Sequence, residues 1–293
     1  MMFNMNCDEG YLGGVVSDAW RFDGKVALIT GGARGQGRSH AVNLAKRGAD
    51  IVLLDILEQI PSVEYEMSRQ DDMDETVKQI EAEDRRVIPL KGDVRNWDDV
   101  QNAVNVAVAE FGRLDLVSAN AGIMPTTGEP AQQLDAWHAA IDTMLTGVYY
   151  TLRAATEPMV ESGRGGSIVI TGSTSTFQGV AFNQKLLNPG QVGYGAAKHG
   201  VVAIMRNFAK ALGQYNVRVN LVAPQGVRTP MLINPYFGPS VRDGAPPGWM
   251  ANVMNTDLVE PQDISEAVLW LLSDQARYVT GTSIAVDSGT LIY

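Results

Sequence analysis

The stretch TGGARGQG, residues 30–37, decides the fold that this sequence predicts. A short apolar run, VALI at residues 26–29, precedes it, and a segment of helical period follows at Gln36–Arg47. A glycine-rich turn between a buried strand and a helix presents backbone N–H groups at the helix N-terminus, where the charge of a pyrophosphate is favoured. The stretch therefore predicts the start of a nucleotide-binding α/β fold, although some turns of this kind are only structural.

The glycines of this turn have separate predicted roles. Gly31 and Gly35 permit the tight backbone turn, and Gly37 permits close contact between helix and sheet. An acidic residue about 20 positions further on, Asp55, favours nucleotide binding over a purely structural turn. Within the turn, the predicted cofactor contacts are Gly31, Ala33, Arg34, Gly35, Gln36 and Gly37.

Asp55 closes the second predicted strand and indicates which dinucleotide binds. Its carboxylate can accept hydrogen bonds from the adenine-ribose hydroxyls and would repel a 2′-phosphate, which favours NAD over NADP. Two alternatives stay open, because Asp55 could cap a turn and because Arg34 and Arg38 could hold a 2′-phosphate. We expect NAD, since Asp55 would lie directly at the ribose.

From Lys25 onward, short β-rich runs alternate with longer segments of helical period. This alternation is typical of a parallel sheet with helices on both faces, and right-handed crossovers make a doubly wound sheet the simplest topology. We predict an α/β, doubly wound Rossmann-type fold with a seven-stranded parallel sheet, formed by one domain at residues 21–293. The predicted strands are Lys25–Thr30, Asp50–Asp55, Val87–Asp93, Leu114–Asn120, Ser167–Thr171, Val217–Ala223 and Ser283–Asp287. The clearest predicted helices are Gln36–Arg47, Trp97–Phe111 and Val192–Tyr215.

Three segments interrupt the alternation. Leu57–Asp72, with Pro61 and mixed charges, is predicted to be a surface excursion, and Phe177–Gln191 is predicted to be a loop before a helix. Residues 226–260 are rich in proline and large apolar side chains, which is typical of a lid. The lid side chains expected at an apolar pocket, unless they pack the lid itself or a subunit contact, are Met231, Leu232, Tyr236, Phe237, Trp249 and Met250.

The composition excludes several classes of function. The 293 residues carry a net charge of -10, which argues against binding nucleic acid over a large face. No apolar run reaches the ~20 residues of a membrane span. Residues 1–20, which hold the single cysteine Cys7 and no basic residue, do not resemble a secretory signal and are predicted to be a flexible extension. We expect a cytoplasmic protein with no nucleic-acid, membrane or metal partner.

The pentapeptide YGAAK at residues 194–198 carries the predicted chemistry. Residues four apart share one face of a helix, so the ammonium of Lys198 can approach the phenol of Tyr194 and lower its pKa. Tyr194 could then take a proton from an alcohol, or return one to a ketone, near neutral pH. Ser173 follows a predicted strand and could hydrogen-bond the same substrate oxygen, although a hydroxyl at that point often satisfies a turn.

Two further strand ends place polar residues at the same predicted edge of the sheet. Asp93, followed by Val94, ends the third strand, where its carboxylate can meet the adenine amino group. Asn120, Ala121 and Gly122 end the fourth strand close to the cofactor side. For Asn120, a direct ligand contact and an amide that joins neighbouring strands are both open.

The order and spacing of these motifs resemble the short-chain dehydrogenase/reductase family, from about Phe22 to the C-terminus. The resemblance implies that the glycine turn and the strand-end aspartate bind the dinucleotide. It also implies that Ser173 and Tyr194 act on the substrate oxygen, and that Lys198 and Tyr194 contact the cofactor, with Lys198 on the nicotinamide ribose.

A second part of the resemblance lies at Pro224–Pro230, PQGVRTP, which is similar to the family's turn over the nicotinamide. The resemblance implies cofactor contacts at this turn, through the Val227 backbone to the carboxamide and through Thr229 to the phosphate. Residues 31–41 and 196–202 are similar to the carveol-dehydrogenase-like subgroup, often linked to the redox cofactor mycofactocin. That subgroup implies an NAD that tends to stay bound, and the family implies a homotetramer.

Two departures from the family pattern affect the predicted chemistry. Met144 stands where the family usually carries an asparagine that distorts its helix and anchors a water in the proton path from the lysine, and a thioether is at best a weak acceptor. Ser173 and Tyr194 are 21 positions apart, longer than usual because of the Phe177–Gln191 insertion, so a displaced Ser173 stays open.

The sequence thus predicts an NAD-dependent oxidoreductase that transfers hydride between the nicotinamide and a secondary alcohol or ketone of a small, largely apolar substrate. The alternative is a dinucleotide-binding redox sensor or assembly protein that has lost efficient chemistry. Met144 is the only residue that supports this alternative.

Overall fold

A seven-stranded parallel sheet forms the centre of the computed structural model, which describes residues 20–179, 181–238 and 251–293. The strand order is β3-β2-β1-β4-β5-β6-β7, and each neighbouring pair is parallel. The strands are β1 Val26–Thr30, β2 Asp50–Asp55, β3 Val87–Lys91, β4 Leu116–Ala119, β5 Gly166–Thr171, β6 Val217–Pro224 and β7 Ser283–Val286. The predicted α/β Rossmann-type fold is confirmed.

Seven α-helices of the described residues connect and cover these strands. They are α1 Gly35–Lys46, α2 Gln70–Glu81, α3 Trp97–Phe111, α4 Leu134–Ile141, α5 Gly147–Glu161, α6 Pro189–Leu212 and α7 Pro261–Leu272. Helix α6 begins before the predicted Val192 because Asn188 caps it, its side-chain oxygen accepting a hydrogen bond from Gln191 N at 2.8 Å. No helix of the described ranges is long and apolar enough to cross a membrane.

Both faces of the sheet are buried. On β1, Leu28 belongs to the apolar cluster that contains residues of α3, α5 and α6, whereas Ile29 belongs to the cluster that contains residues of α1 and α7. Both side chains are fully inaccessible to solvent. This explains why the VALI run is continuously apolar rather than alternating.

The strand order reverses between β1 and β4, and this reversal positions the candidate site. In open α/β sheets, a crevice forms at such a switch point, outside the carboxyl ends of the strands. Here the turn after β1, residues 30–37, meets residues 120–122 after β4: a Cβ added at Gly31 would lie 2.8 Å from Ala121 Cα. Ser173 follows β5 at the same edge.

The prediction of a surface excursion at Leu57–Asp72 was wrong. Ile60, Val63 and Tyr65 are at most 5% exposed and pack in one cluster with Met144, and α2 begins at Gln70. The apolar residues of this segment alternate irregularly with charged ones, so neither helical nor strand period reveals that the loop folds back onto the protein.

Parts of the predicted domain plan lie outside the described residues. These are residues 1–19 with Cys7, and the middle of the lid at 239–250 with Trp249 and Met250. The flexible extension and the single domain at 21–293 therefore stay predictions.

Candidate active site

Two adjoining cavities open at the carboxyl edge of the sheet. The Tyr194 cavity, about 180 Å³, is bounded by Ser173, Tyr194 and the turn after β6. The glycine-turn cavity, about 140 Å³, is bounded by the turn after β1 and by the ends of β2 and β4. Gln36, Thr229 and Met231 line both cavities, so the two spaces meet at these side chains.

Ser173, Tyr194 and Lys198 come together as predicted. Ser173 and Tyr194 line the same cavity, and the Ser173 hydroxyl lies near enough to the Tyr194 phenol to lower its pKa, so the long spacing has not displaced Ser173. Lys198 Nζ lies 5.9 Å from the centroid of the Tyr194 ring and donates a hydrogen bond to Thr171 O at 2.7 Å. The insertion between Ser173 and Tyr194 instead supplies part of the cavity wall, through Gln178, Phe182, Leu186 and Gln191.

The predicted effect of Lys198 on Tyr194 needs a correction. Burial raises the pKa of the Tyr194 phenol, and the nearby Ser173 hydroxyl opposes this only in part. Burial also lowers the pKa of Lys198 to about 8. Lys198 donates to the Thr171 carbonyl, and desolvation, not the charge of the lysine, sets the direction of the Tyr194 pKa shift.

The glycine turn has the shape that a dinucleotide needs. Gly31 and Gly35 adopt φ of +67° and +58°, the left-handed region that favours glycine. A Cβ on Gly37 would overlap Gly31 O, so only glycine allows α1 to approach this closely. No side chain of the described residues caps α1, and the buried Oε1 of Gln36 has no hydrogen-bond partner. The N–H groups at the helix N-terminus, which lies at the cavity, are therefore available to donate to a pyrophosphate.

Asp55 lines the glycine-turn cavity and also caps the turn. Its carboxylate is 7% exposed and accepts hydrogen bonds from Ala33 N at 2.9 Å and from the Ser68 hydroxyl at 2.5 Å. The capping alternative is thus correct, and a ribose contact stays a prediction. Arg34 donates to Glu66 O, and Arg38 donates to Ala33 O and to residues of α2, so protein atoms already engage both guanidinium groups.

Asn120 joins three strands. Its Nδ2 donates to Thr30 O at 3.1 Å and Gly31 O at 3.3 Å, and its Oδ1 accepts from the Thr171 hydroxyl at 3.2 Å. The structural alternative for this amide is therefore the one observed. It holds β1, β4 and β5 in register at the edge of the glycine-turn cavity.

The remaining predicted residues fall into two groups. Asp93, Val94, Ala121 and Gly122 line the glycine-turn cavity, and the Asp93 carboxylate accepts hydrogen bonds from Arg95. Pro224, Val227 and Thr229 line the Tyr194 cavity, together with the lid residues Met231, Leu232 and Phe237. Ala33, Gly37, Lys198 and Tyr236 line neither cavity.

Met144 lies in a π-helical turn, Asp142–Thr146, between α4 and α5. Its side chain is 1% exposed, and a Cβ added at Gly122 would lie 3.7 Å from its Sδ. The helix is thus distorted at this point without the asparagine of the family pattern. The effect of Met144 on proton transfer stays a prediction.

Several cavity residues escaped the sequence analysis. Ile60, Tyr65, Met67 and Ser68 of the folded-back loop line the glycine-turn cavity. Gln225 and Thr290 line the Tyr194 cavity. No short motif marks these side chains, because contacts between segments distant in sequence place them there.

The sheet, the glycine turn and the Ser173–Tyr194–Lys198 cluster define an oxidoreductase of Rossmann type. Comparison with known proteins narrows this class. A family profile described as enoyl-(acyl carrier protein) reductase matches residues 31–290. A putative short-chain type dehydrogenase/reductase of Mycolicibacterium smegmatis is 42% identical over 94% of this chain and 99% of its own length. The chain belongs to the short-chain dehydrogenase/reductase family.

Two further relatives carry more specific names. A (-)-trans-carveol dehydrogenase of Rhodococcus erythropolis is 40% identical over 93% of this chain and 99% of its own length. The crystal structure of a carveol dehydrogenase from Mycobacterium avium in complex with NAD is 40% identical, with a TM-score of 0.84 over 93% of this chain and 99% of that one.

Proposed function

We propose that this protein is an NAD-dependent oxidoreductase that interconverts a secondary alcohol and a ketone. One observation carries the proposal: Ser173 and Tyr194 line one cavity, and it meets the glycine-turn cavity at Gln36, Thr229 and Met231. A substrate oxygen at the two hydroxyls would thus lie beside the nicotinamide end of a dinucleotide. The carveol dehydrogenase relatives support the same reaction.

NAD is the cofactor that the glycine-turn cavity favours. The Asp55 carboxylate lies at the end of β2, where a 2′-phosphate would be repelled, and the guanidinium groups of Arg34 and Arg38 are already engaged. When bound, NAD supplies the hydride acceptor for alcohol oxidation. The residues proposed to hold it are those of the turn at 31–37, Asp55, Asp93, Val94, the segment Asn120–Gly122, Tyr194, Lys198, Pro224, Val227 and Thr229.

The proposed chemistry of the protein is a proton transfer. In alcohol oxidation, the substrate hydroxyl gives its proton to Tyr194 while Ser173 holds the same oxygen by a hydrogen bond. In ketone reduction, Tyr194 returns the proton, and its raised pKa keeps the phenol protonated for this step at neutral pH. Lys198 Nζ lies 5.9 Å from the centroid of the ring, where its positive charge favours the phenolate that accepts the proton in oxidation and that remains after reduction.

The Tyr194 cavity favours a small substrate with a largely apolar body. Its volume of about 180 Å³ suits a molecule of roughly the size of an alicyclic alcohol. The apolar side chains around it are Met124, Phe182, Leu186, Met231, Leu232 and Phe237. (-)-trans-Carveol, the substrate in the name of one relative, is therefore the first compound to test.

Assembly and location follow the family resemblance. We propose a cytoplasmic homotetramer whose NAD stays bound through turnover and is reoxidised by a mycofactocin-linked acceptor. The loop at residues 57–69 supports retention of NAD, because Ile60, Tyr65 and Ser68 lie along the glycine-turn cavity.

Two measurements test the proposed function. Purified protein is denatured, and any released nucleotide is identified by mass; we expect NAD, whereas NADP would overturn the role given to Asp55. The native protein is then assayed with (-)-trans-carveol, other alicyclic alcohols and their ketones. Lack of turnover with all of them would support the non-catalytic alternative.

A substitution at Met144 distinguishes an efficient enzyme from the non-catalytic alternative. We expect Met144→Asn to raise kcat by less than about tenfold, because the π-helical turn that the asparagine is associated with is already present. A Met144→Leu variant keeps the side chain apolar and controls for repacking. A rise of several orders of magnitude with asparagine alone would mean that the natural chain is catalytically impaired.

A further inference from the structure

Gln225 lies in the turn Pro224–Thr229, where the chain leaves β6 and borders the Tyr194 cavity. Both ends of its side-chain amide bind segments that are distant in sequence. Nε2 donates to Thr256 Oγ1 and Ser288 Oγ, each at 3.1 Å, and Oε1 accepts from Thr290 Oγ1 at 3.0 Å. One amide therefore joins the turn to the end of the lid and to the C-terminal segment.

The first of these segments, Asn252–Thr256, is the end of the lid. The side chain of Asn252 is 1% exposed; it donates to Thr256 O at 2.7 Å and accepts from Thr256 N at 3.0 Å. It also donates to Gln225 Oε1 at 3.4 Å. This small loop thus contacts the turn through two polar side chains.

The second segment, Asp287–Tyr293, follows the last strand and ends the chain. Ser288 and Gly289 have φ of +52° and +82°, and the Asp287 carboxylate accepts from Gly289 N at 3.0 Å and Leu291 N at 2.9 Å. The tight turn that results directs Thr290 into the lining of the Tyr194 cavity. Without the amide of Gln225, the Thr290 hydroxyl would lose its link to the turn Pro224–Thr229 and would keep only its bond to Asp287 O, at 2.7 Å, within its own segment.

We propose that Gln225 is a positioning residue of the Tyr194 cavity: its amide holds Thr256, Ser288 and Thr290, and so fixes one wall of the cavity to the turn that borders the nicotinamide end. The two segments also bind each other, because Met254 N donates to Ser288 O at 3.2 Å, and the second one contains a single 3-10 turn at Thr290–Ile292. Thr256 and Thr290 each have a second hydrogen-bond acceptor within their own segment, Asn252 Oδ1 at 3.3 Å and Asp287 O at 2.7 Å. Removal of the amide therefore breaks the hydrogen bonds that tie these segments to the turn and leaves the half-buried Ser288 hydroxyl without its Gln225 partner, which favours opening of both loops.

Hydrogen exchange measured by mass spectrometry on the full chain tests this proposal without any assay of activity. Gln225→Met keeps the length of the side chain and removes its hydrogen bonds. We expect exchange to rise about tenfold in peptides covering residues 252–256 and 286–293. Ser288→Ala should affect only the second segment, and Thr256→Val only the first. Gln225→Glu should restore protection in part, because its oxygens can accept from all three hydroxyls.

A matched control exists on the other side of the site. Gln59 Nε2 donates to Val63 O at 2.7 Å, and its Oε1 accepts from Met67 N at 3.1 Å, so its amide ties the loop at 57–69 to itself. Gln59→Met should raise exchange in that loop and leave residues 286–293 unchanged. Unchanged exchange in both Gln225 segments, or a rise spread evenly over the chain, would overturn the proposal.

The consequence for the cavity is tested by kinetics, and this part rests on the proposed function. With (-)-trans-carveol, or the best alcohol of the panel, we expect Gln225→Met to raise KM about tenfold while the amount of bound NAD stays unchanged. Faster exchange with an unchanged KM would show that the Gln225 amide does not position the cavity wall. If no alcohol turns over, the proposed function fails, and the exchange data alone decide whether Gln225 holds the two segments.

Discussion

Burial shifts the pKa values of the two ionisable residues of the candidate site, Tyr194 and Lys198, in opposite directions. It raises the pKa of Tyr194 and lowers that of Lys198 to about 8, so both groups are pushed towards their neutral forms. The local motifs were sufficient to predict that Ser173, Tyr194 and Lys198 meet, because one helix turn and one strand end fix their positions. They were not sufficient to predict the balance of desolvation, which depends on everything packed around the side chains.

The pKa of Lys198 gives a pH dependence. Its charged form, which favours the Tyr194 phenolate, is present below pH 8 and is lost as the pH rises through about 8. We expect kcat/KM for ketone reduction to fall above that pH. Reduction needs Tyr194 to be protonated, so that it can give its proton, and Lys198 to be protonated, so that its charge favours the phenolate that remains. The measurement is a profile from pH 6 to 10 on the wild type and on Lys198→Arg, whose guanidinium stays charged. A flat wild-type profile across pH 8 would contradict this assignment.

At the scale of elements, the strands followed closely from the sequence. The five inner strands are short apolar runs buried on both faces, whereas the edge strands β3 and β7 are only partly buried. β2 and α3 begin and end where they were predicted. The burial of the loop at 57–69 could not be predicted from the sequence, because it comes from contacts with Ile123 and Met144 and not from a helical or strand periodicity. The start of α6 was also missed, although the Asn-Pro pair at 188–189 is a recognisable N-cap signal.

The N-cap of α6 matters because this helix carries Tyr194. Asn188 is 5% exposed, and its Oδ1 accepts from Gln191 N at 2.8 Å. We expect Asn188→Ala to lower the free energy of unfolding by about 1 kcal/mol, measured by urea denaturation. Asn183→Ala removes an equivalent cap from the single turn at Gln184–Leu186 and should cost about half as much or less. Equal losses for both variants would contradict the role given to Asn188.

At the scale of the whole molecule, α1 and α7 cover one face of the sheet and pack around a buried histidine. His40 is fully buried; its Nδ1 shares a hydrogen bond with Ser265 Oγ at 2.8 Å, and its Nε2 has no partner among the described residues. Burial lowers the pKa of His40 to about 3. No sequence pattern showed this, because the two helices that enclose the ring are far apart in the chain.

His40 therefore predicts how stability changes in acid. The unfolded chain binds a proton at the ordinary histidine pKa of 6.5, whereas the folded protein does so only near 3. The free energy of unfolding should thus fall by about 1.4 kcal/mol for each pH unit below 6.5 from this residue alone. In His40→Asn the slope between pH 6.5 and 4.5 should be shallower, whereas His138→Asn, at an exposed position, should keep the wild-type slope. Parallel slopes for all three proteins would contradict this explanation.

The central claim is that Tyr194 transfers the proton of the substrate beside a bound NAD. Tyr194→Phe removes only the phenol hydroxyl from the cavity that Ser173 also lines. We expect this variant to lose at least about a thousandfold in turnover of the best alcohol substrate, while NAD content and affinity, measured by mass and by fluorescence titration, stay within about twofold of the wild type. Turnover at a rate close to that of the wild type would contradict the account.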